Sequence, residues 1–200
     1  MNYYIADTHF GHENGMRYDH NSGAPLFSSI EEHDELIIKN INKVVHKNDH
    51  LYFLGDLAYK ADPAKVKQLL ERINCKNLYL IKGNHDKHWL KDKECCALFR
   101  GIYDYKQVND KGRDVILSHY PIMMWAGQHR GSIHLYGHVH NTSEQDDYQE
   151  FLYNFNDRLQ MRDSDRFKPA RAYNVGCMIP YMNYTPRTLN EIIKMHNMGV

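Results

Sequence analysis

Short apolar runs along this chain stop abruptly on polar residues. Residues 2–6 run into Asp7-Thr8-His9, residues 51–54 into Gly55-Asp56, and residues 78–81, after Lys82, into Gly83-Asn84-His85-Asp86. Residues 115–117 run into Ser118-His119, 133–136 into Gly137-His138-Val139-His140, and 173–175 into Gly176. Aliphatic and aromatic runs of this length, bounded by glycine or polar clusters, predict strands. Between them the apolar spacing turns helical. Ile30, Ile37, Ile41, Val44 and Val45 share a face behind Ser28-Ser29, where a glutamate three residues on suits a capping box. Val66, Leu69, Leu70 and Ile73 follow Asp62-Pro63, an N-cap and first-turn pair. Leu189, Ile192 and Ile193 follow Thr188, with Glu191 at capping-box spacing.

Early strands alternate with helices, which points to an α/β fold. Later, 102–108, 115–117 and 133–136 lie close together and read as hairpins, so the expectation is a mixed sheet system covered by helices. Residues 144–171 are dense in both charges, yet Tyr148, Phe151, Leu152, Phe155 and Leu159 make an amphipathic stripe inside them. That segment reads as a solvated loop with a short packed helix, or as a flap beside the residues just before it. Two hundred residues without an internal repeat suit one domain, 1–200.

Twenty-five basic residues balance twenty-five acidic ones, so no long-range attraction to nucleic acid or an anionic membrane is written into the net charge. No apolar run approaches membrane-spanning length. Cys75, Cys95, Cys96 and Cys177 form no CxxC pair and read as reduced thiols of a cytoplasmic protein.

The polar residues at the strand ends carry the chemistry. Asp7 and His9 are two apart, as are His138 and His140, so on extended chain each pair shares a face and can bite one metal ion. Glycines beside Asp56, Asn84 and His138 allow sharp turns and close approach. Strand C-termini on one sheet edge form the usual ligand crevice of open α/β folds. Together the segments offer two aspartates, one asparagine oxygen and four histidines. One tetrahedral zinc needs about four ligands. Seven nitrogen and oxygen donors suit two divalent ions about 3.5–4 Å apart with a bridging carboxylate. Without thiolates, the choice falls among Mn²⁺, Fe²⁺, Zn²⁺ and Ni²⁺, with manganese the first expectation.

The ordered motifs D-x-H, GD, GNHD, H and GHxH, here Asp7-Thr8-His9, Gly55-Asp56, Gly83-Asn84-His85-Asp86, His119 and Gly137-His138-Val139-His140, resemble those of the calcineurin-like metallophosphoesterases. The opening DTHFGH resembles the small bacterial and phage members. The resemblance spans residues 3–173. It implies a four-layer αββα sandwich: two mixed sheets flanked by helices, with a dinuclear metal site at the C-terminal ends of strands. It implies that Asp7, His9 and His140 hold one ion, that Asn84, His119 and His138 hold the other, and that Asp56 bridges them. His85 would contact phosphate and protonate the leaving oxygen, with Asp86 accepting a hydrogen bond from its ring.

The expected reaction is phosphoester hydrolysis by a metal-bridging hydroxide attacking phosphorus in line, with a phosphodiesterase favoured. A phosphomonoesterase or nucleotide phosphatase is the alternative. A non-catalytic metal-binding scaffold is the third reading, disfavoured because no ligand position is lost. Substrate contacts are expected from His12, Arg17 and Tyr120. The expected partner is a phosphate ester, either a small molecule or a nucleic-acid end, and no membrane.

Overall fold

A computed structural model describes residues 1–13, 27–160 and 168–198. Its first sheet has the order β1 (Asn2–Ile5), β2 (His50–Leu54), β3 (Asn77–Ile81), β4 (Phe99–Tyr103). All its pairings are parallel, so this sheet is not mixed. The reason lies in its connections. α1 (Ile30–Val44), α2 (Pro63–Glu71) and the short α3 (Lys93–Ala97) each carry the chain back to the same edge.

The second sheet has the order β5 (Tyr105–Asp110), β6 (Arg113–Ser118), β7 (Ile133–Tyr136), β8 (Arg171–Asn174). Only the β5–β6 hairpin is antiparallel, turning through Lys111 and Gly112 at φ 53° and 83°. α4 (Ser143–Gln160) and α5 (Leu189–Asn197) complete the elements. Residues 102–108 are therefore not one hairpin arm. The chain leaves the first sheet at Tyr103, crosses at Asp104 and enters the second at Tyr105.

Period-two side chains build the layers. Tyr3, Ile5, Leu51, Phe53, Leu78 and Leu80 point one way, toward Ile37, Ile41, Val66 and Leu70 of the helices. Their alternates Tyr4, Ala6, Tyr52, Leu54 and Ile81 meet Val115, Leu117, Ile133 and Leu135 between the sheets. On the far side Ile116, Tyr136 and Ala172 are covered by Tyr148 and Leu152 of α4. The result is a four-layer αββα sandwich.

Local signals act as the sequence suggested. The Ser29 side chain accepts from Glu32 N, and the Glu32 carboxylate accepts from Ser28 N at 2.8 Å, so the box is shared by both serines. Asp62 caps α2, and Thr188 with Glu191 closes a full capping box on α5. Within residues 144–171, the apolar stripe of α4 packs on the second sheet as the fourth layer, while residues 161–167 lie outside the described residues. Among the described residues, no helix is long and apolar enough to cross a membrane, and the four cysteines are free.

Candidate metal centre

The C-terminal ends of β1, β2, β3, β6 and β7 converge where the two sheets meet. The β1 extension is tied to the segment after β8 by Ala6 N donating to Val175 O and Cys177 N donating to Ala6 O. Asp7 is thereby held between the sheets, and its carboxylate accepts from His138 N at 3.2 and 3.0 Å.

Two donor groups result: Asp7, His9 and His140 form one, and Asp56, His119 and His138 form the other. Within each group, one ligand atom per residue lies within 4.8 Å of the others. Each group draws on both sheets. Asn84 joins the second, since its Oδ1 lies 3.1 Å from His119 Nε2.

The backbone here is unusual. Nine described non-glycine residues have positive φ, and five of them are Asp7, His9, Asp56, His138 and His140. Left-handed backbone costs roughly 1–2 kcal/mol per L-residue and persists where the surroundings over-determine it, most often at functional sites. Two glycines are required by space. A Cβ on Gly83 would lie 2.2 Å from the backbone N and Oδ1 of Asp56. One on Gly55, at φ 85°, would lie 2.4 Å from His119 Nδ1.

The donors suit divalent cations. Both ring nitrogens of His9 are buried without a hydrogen-bond partner, a costly arrangement that an ion relieves. His119 Nδ1 donates to Leu54 O at 2.9 Å, which leaves Nε2 to the site. There it faces Asn84 Oδ1 and, at 3.4 Å, Asp56 Oδ2. Three electron-pair donors in that space call for a cation or a proton. Burial works against a charged His119, but Asp56 and Asp7 outweigh it and lift its pKa to about 9. Burial also works to raise Asp56, yet His119 and the His85 N–H hold it down at about 2. Burial, with Asp56 and Asp86 nearby, pushes Asp7 up to about 7. Burial first, then neighbouring histidines, drives His9 well below the usual imidazole range. Burial brings His140 down to about 4 and also lowers His138. His9, His138 and His140 are therefore neutral at pH 7, the form that binds metal.

His85 stands at the rim, 37% exposed, with Nε2 3.8 Å from Asp56 Oδ2 and its backbone N donating to Asp56 Oδ1 at 2.8 Å. The expected ring contact with Asp86 does not form. Asp86 is fully buried and accepts from Asp56 N, Leu57 N, Gly83 N and Trp89 Nε1 at 2.8–3.1 Å. Four donors saturate it, so it positions the Asp56 and Gly83 turns instead. Tyr120 lies at the mouth, its hydroxyl donating to Asn84 Oδ1 at 3.3 Å and its ring edge-on to His138 at 4.3 Å. His12 stacks on Tyr59 with centroids 3.8 Å apart and sits 5.4 Å from the His9 ring. Arg17 lies outside the described residues.

Two contributors escaped sequence reasoning. Tyr59 meets the His85 ring at 4.7 Å. Asn174 donates to His140 O at 2.8 Å and fixes that turn. The clue to Asn174 was an amide at the end of the last strand, next to Gly176.

No family model matches the chain. An uncharacterized protein of Methanocaldococcus jannaschii, MJ1445, is 29% identical over 198 residues, covering 98% of this chain and 92% of that one. The gene 66 protein of Mycobacterium phage L5 is 25% identical over 166 residues, covering 70% of this chain and 77% of that one. Among solved structures, AQ665 of Aquifex aeolicus, a protein of unknown function, aligns with TM-score 0.68 and 26% identity over 98% of both chains. The fold is thus shared end to end, and the chain resembles calcineurin-like metallophosphoesterases in the order of its site motifs.

Proposed function

We propose that this chain is a metal-dependent phosphoesterase of the calcineurin-like family, and that it prefers phosphodiesters. The observation that carries the reading is the pair of donor groups on left-handed backbone, with His85 at their rim. Asp7, His9 and His140 would hold one divalent ion, Asn84, His119 and His138 a second, and Asp56 would bridge. Manganese is the first expectation, ahead of Fe²⁺, Zn²⁺ and Ni²⁺. Bound there, such ions withdraw charge from a phosphoryl oxygen and make a water acidic enough to attack at neutral pH.

The chain's own residues do the rest. Asp56, with its low pKa, stays an anion over the working pH range and keeps its Oδ2 toward the second donor group. His85 is within reach of a substrate at the rim and gives its proton to the departing ester oxygen. Thr8 and Cys177, the hydroxyl and thiol packed beside Asp7, are buried and donate to Leu57 O and Asp7 O. Water is the proposed nucleophile, with no phosphoryl-enzyme intermediate. The mouth is open, with Tyr120 48% exposed, which leaves room for both ester arms of a diester. Four free cysteines suit a reducing compartment such as the cytoplasm.

The test is hydrolysis of bis-p-nitrophenyl phosphate against p-nitrophenyl phosphate by metal-stripped protein reconstituted with Mn²⁺. The diester should turn over faster. Asp56→Asn should abolish the activity, and His85→Ala should lower kcat by about 10²–10⁴-fold. Monoester preference would shift the reading to nucleotide phosphatases. Two bound metals with no turnover of either ester would favour the scaffold.

A further inference from the structure

A cleft of about 310 Å³ opens from Asn84 along the surface, lined by Lys82, Lys87, Leu90, Asp104 and Tyr120. It shares Asn84 with the second donor group, so whatever fills it lies against the proposed reaction centre. Lys82 Nζ is held by Asp104 Oδ1 at 2.7 Å, which fixes its ammonium on the cleft wall. Lys87 is exposed and makes no ion pair among the described residues. Two ammonium groups against one carboxylate leave the cleft with a net positive charge beside a site read as binding phosphate. Tyr120 adds a half-exposed aromatic ring at the junction.

Ammonium groups in a groove with an aromatic platform are what single-stranded nucleic acid requires: cations for the backbone, a π-face for a base. We propose that this cleft is a subsite for the phosphate next to the scissile one in single-stranded DNA or RNA. Lys82 and Lys87 receive that phosphate, and Tyr120 stacks on the intervening base. The inference rests on the phosphoesterase reading above and names its substrate class. The balanced overall charge is consistent with it, because recognition is confined to one or two phosphates beside the site.

Binding and turnover are measured separately, so that failure of one reading is distinguishable from failure of the other. Fluorescein-labelled octathymidylate and octauridylate are titrated by anisotropy into EDTA-treated protein at low salt. Wild type should bind. Lys82→Ala/Lys87→Ala should weaken binding at least tenfold and flatten the salt dependence by a slope of about 0.7, the value for the one phosphate the two lysines share. Asp104→Asn should act in the opposite sense and tighten it severalfold. Lys39→Ala, which removes one positive charge from the exposed face of α1, should leave binding as it was.

With Mn²⁺, the ratio of kcat/KM for octanucleotide over bis-p-nitrophenyl phosphate should fall at least tenfold in the double variant. A preference between octauridylate and its 2′-deoxy counterpart, which carry the same base, identifies the sugar. Wild type that does not bind either strand would overturn the subsite, as would a double variant that binds like Lys39→Ala, or a tenfold loss shared equally by both substrates. Strand binding that responds to the lysines, without hydrolysis of any ester, would retain the subsite and overturn the enzymatic reading.

Discussion

Replacing His134 with glutamine should remove a defined part of the protein's acid sensitivity. His134 is fully buried on β7, with Nδ1 donating to Ile116 O at 3.1 Å and Nε2 accepting from Ile122 N at 3.1 Å. Both nitrogens are used, and only by the neutral ring, because a proton on Nε2 would face another N–H. Burial moves its pKa from 6.5 to about 4. The folded state thus binds fewer protons than the unfolded one between these values. Stability from this residue is complete above the unfolded pKa and declines as pH falls from about 6.5 toward about 4.

By pH 5 the decline spans 1.5 units, or about 2 kcal/mol at about 1.36 kcal/mol per unit. Urea unfolding of EDTA-treated wild type and His134→Gln at pH 7.5 and pH 5 gives the number as a difference of differences. Metal ligands titrate in both proteins and cancel. The variant is expected to be less stable than wild type at pH 7.5 and to lose about 2 kcal/mol less on acidification. Equal losses in the two proteins would refute the argument that burial, with the Ile122 N–H on Nε2, keeps this ring neutral.

Asp86→Asn should destabilise the fold by about 2–4 kcal/mol in urea titrations, because an amide nitrogen must face N–H groups that a carboxylate oxygen accepts. Conservation of wild-type stability would remove Asp86 from its positioning role. Gly83→Ala should cost Mn²⁺ affinity of more than tenfold by calorimetry, since its Cβ lands on Asp56. An unaltered isotherm would show that the turn relaxes freely. Mn²⁺ at 100 times its Kd should stabilise the protein by about 2.7 kcal/mol relative to EDTA, seen as a rise in Tm. That gain should fall in His9→Ala, which removes one ligand from the first donor group.

Much of the centre was legible because each ligand follows an apolar run, and strand ends are written locally. The three capped helices were legible for the same reason: Ser29, Asp62 and Thr188 act on residues two or three positions away. What escaped depends on long-range partners. The stripe from Tyr148 to Phe155 announced a helix, but only its docking on Ile116 and Tyr136 shows that it is a layer. Asp104 looks like any polar residue between apolar ones, and the change of sheet there is set by β4 pairing with β3 and β5 pairing with β6. His134 offered no neighbour in sequence, since its partners lie on β6 and on the turn after it. The role of Asp86 was misread because adjacency to His85 suggested a contact that three backbone amides and an indole pre-empt.

The crossing at Asp104 also orders events in time. During synthesis the first sheet and Asp7, His9, Asp56 and Asn84 leave the ribosome before any of the second sheet. Neither donor group is complete at that stage, for one waits on His140 and the other on His119 and His138. A nascent or truncated chain with a finished first half is therefore chemically silent. Both donor groups are complete only when the two sheets have closed on each other, so a half-made molecule would lack the hydrolytic activity proposed above.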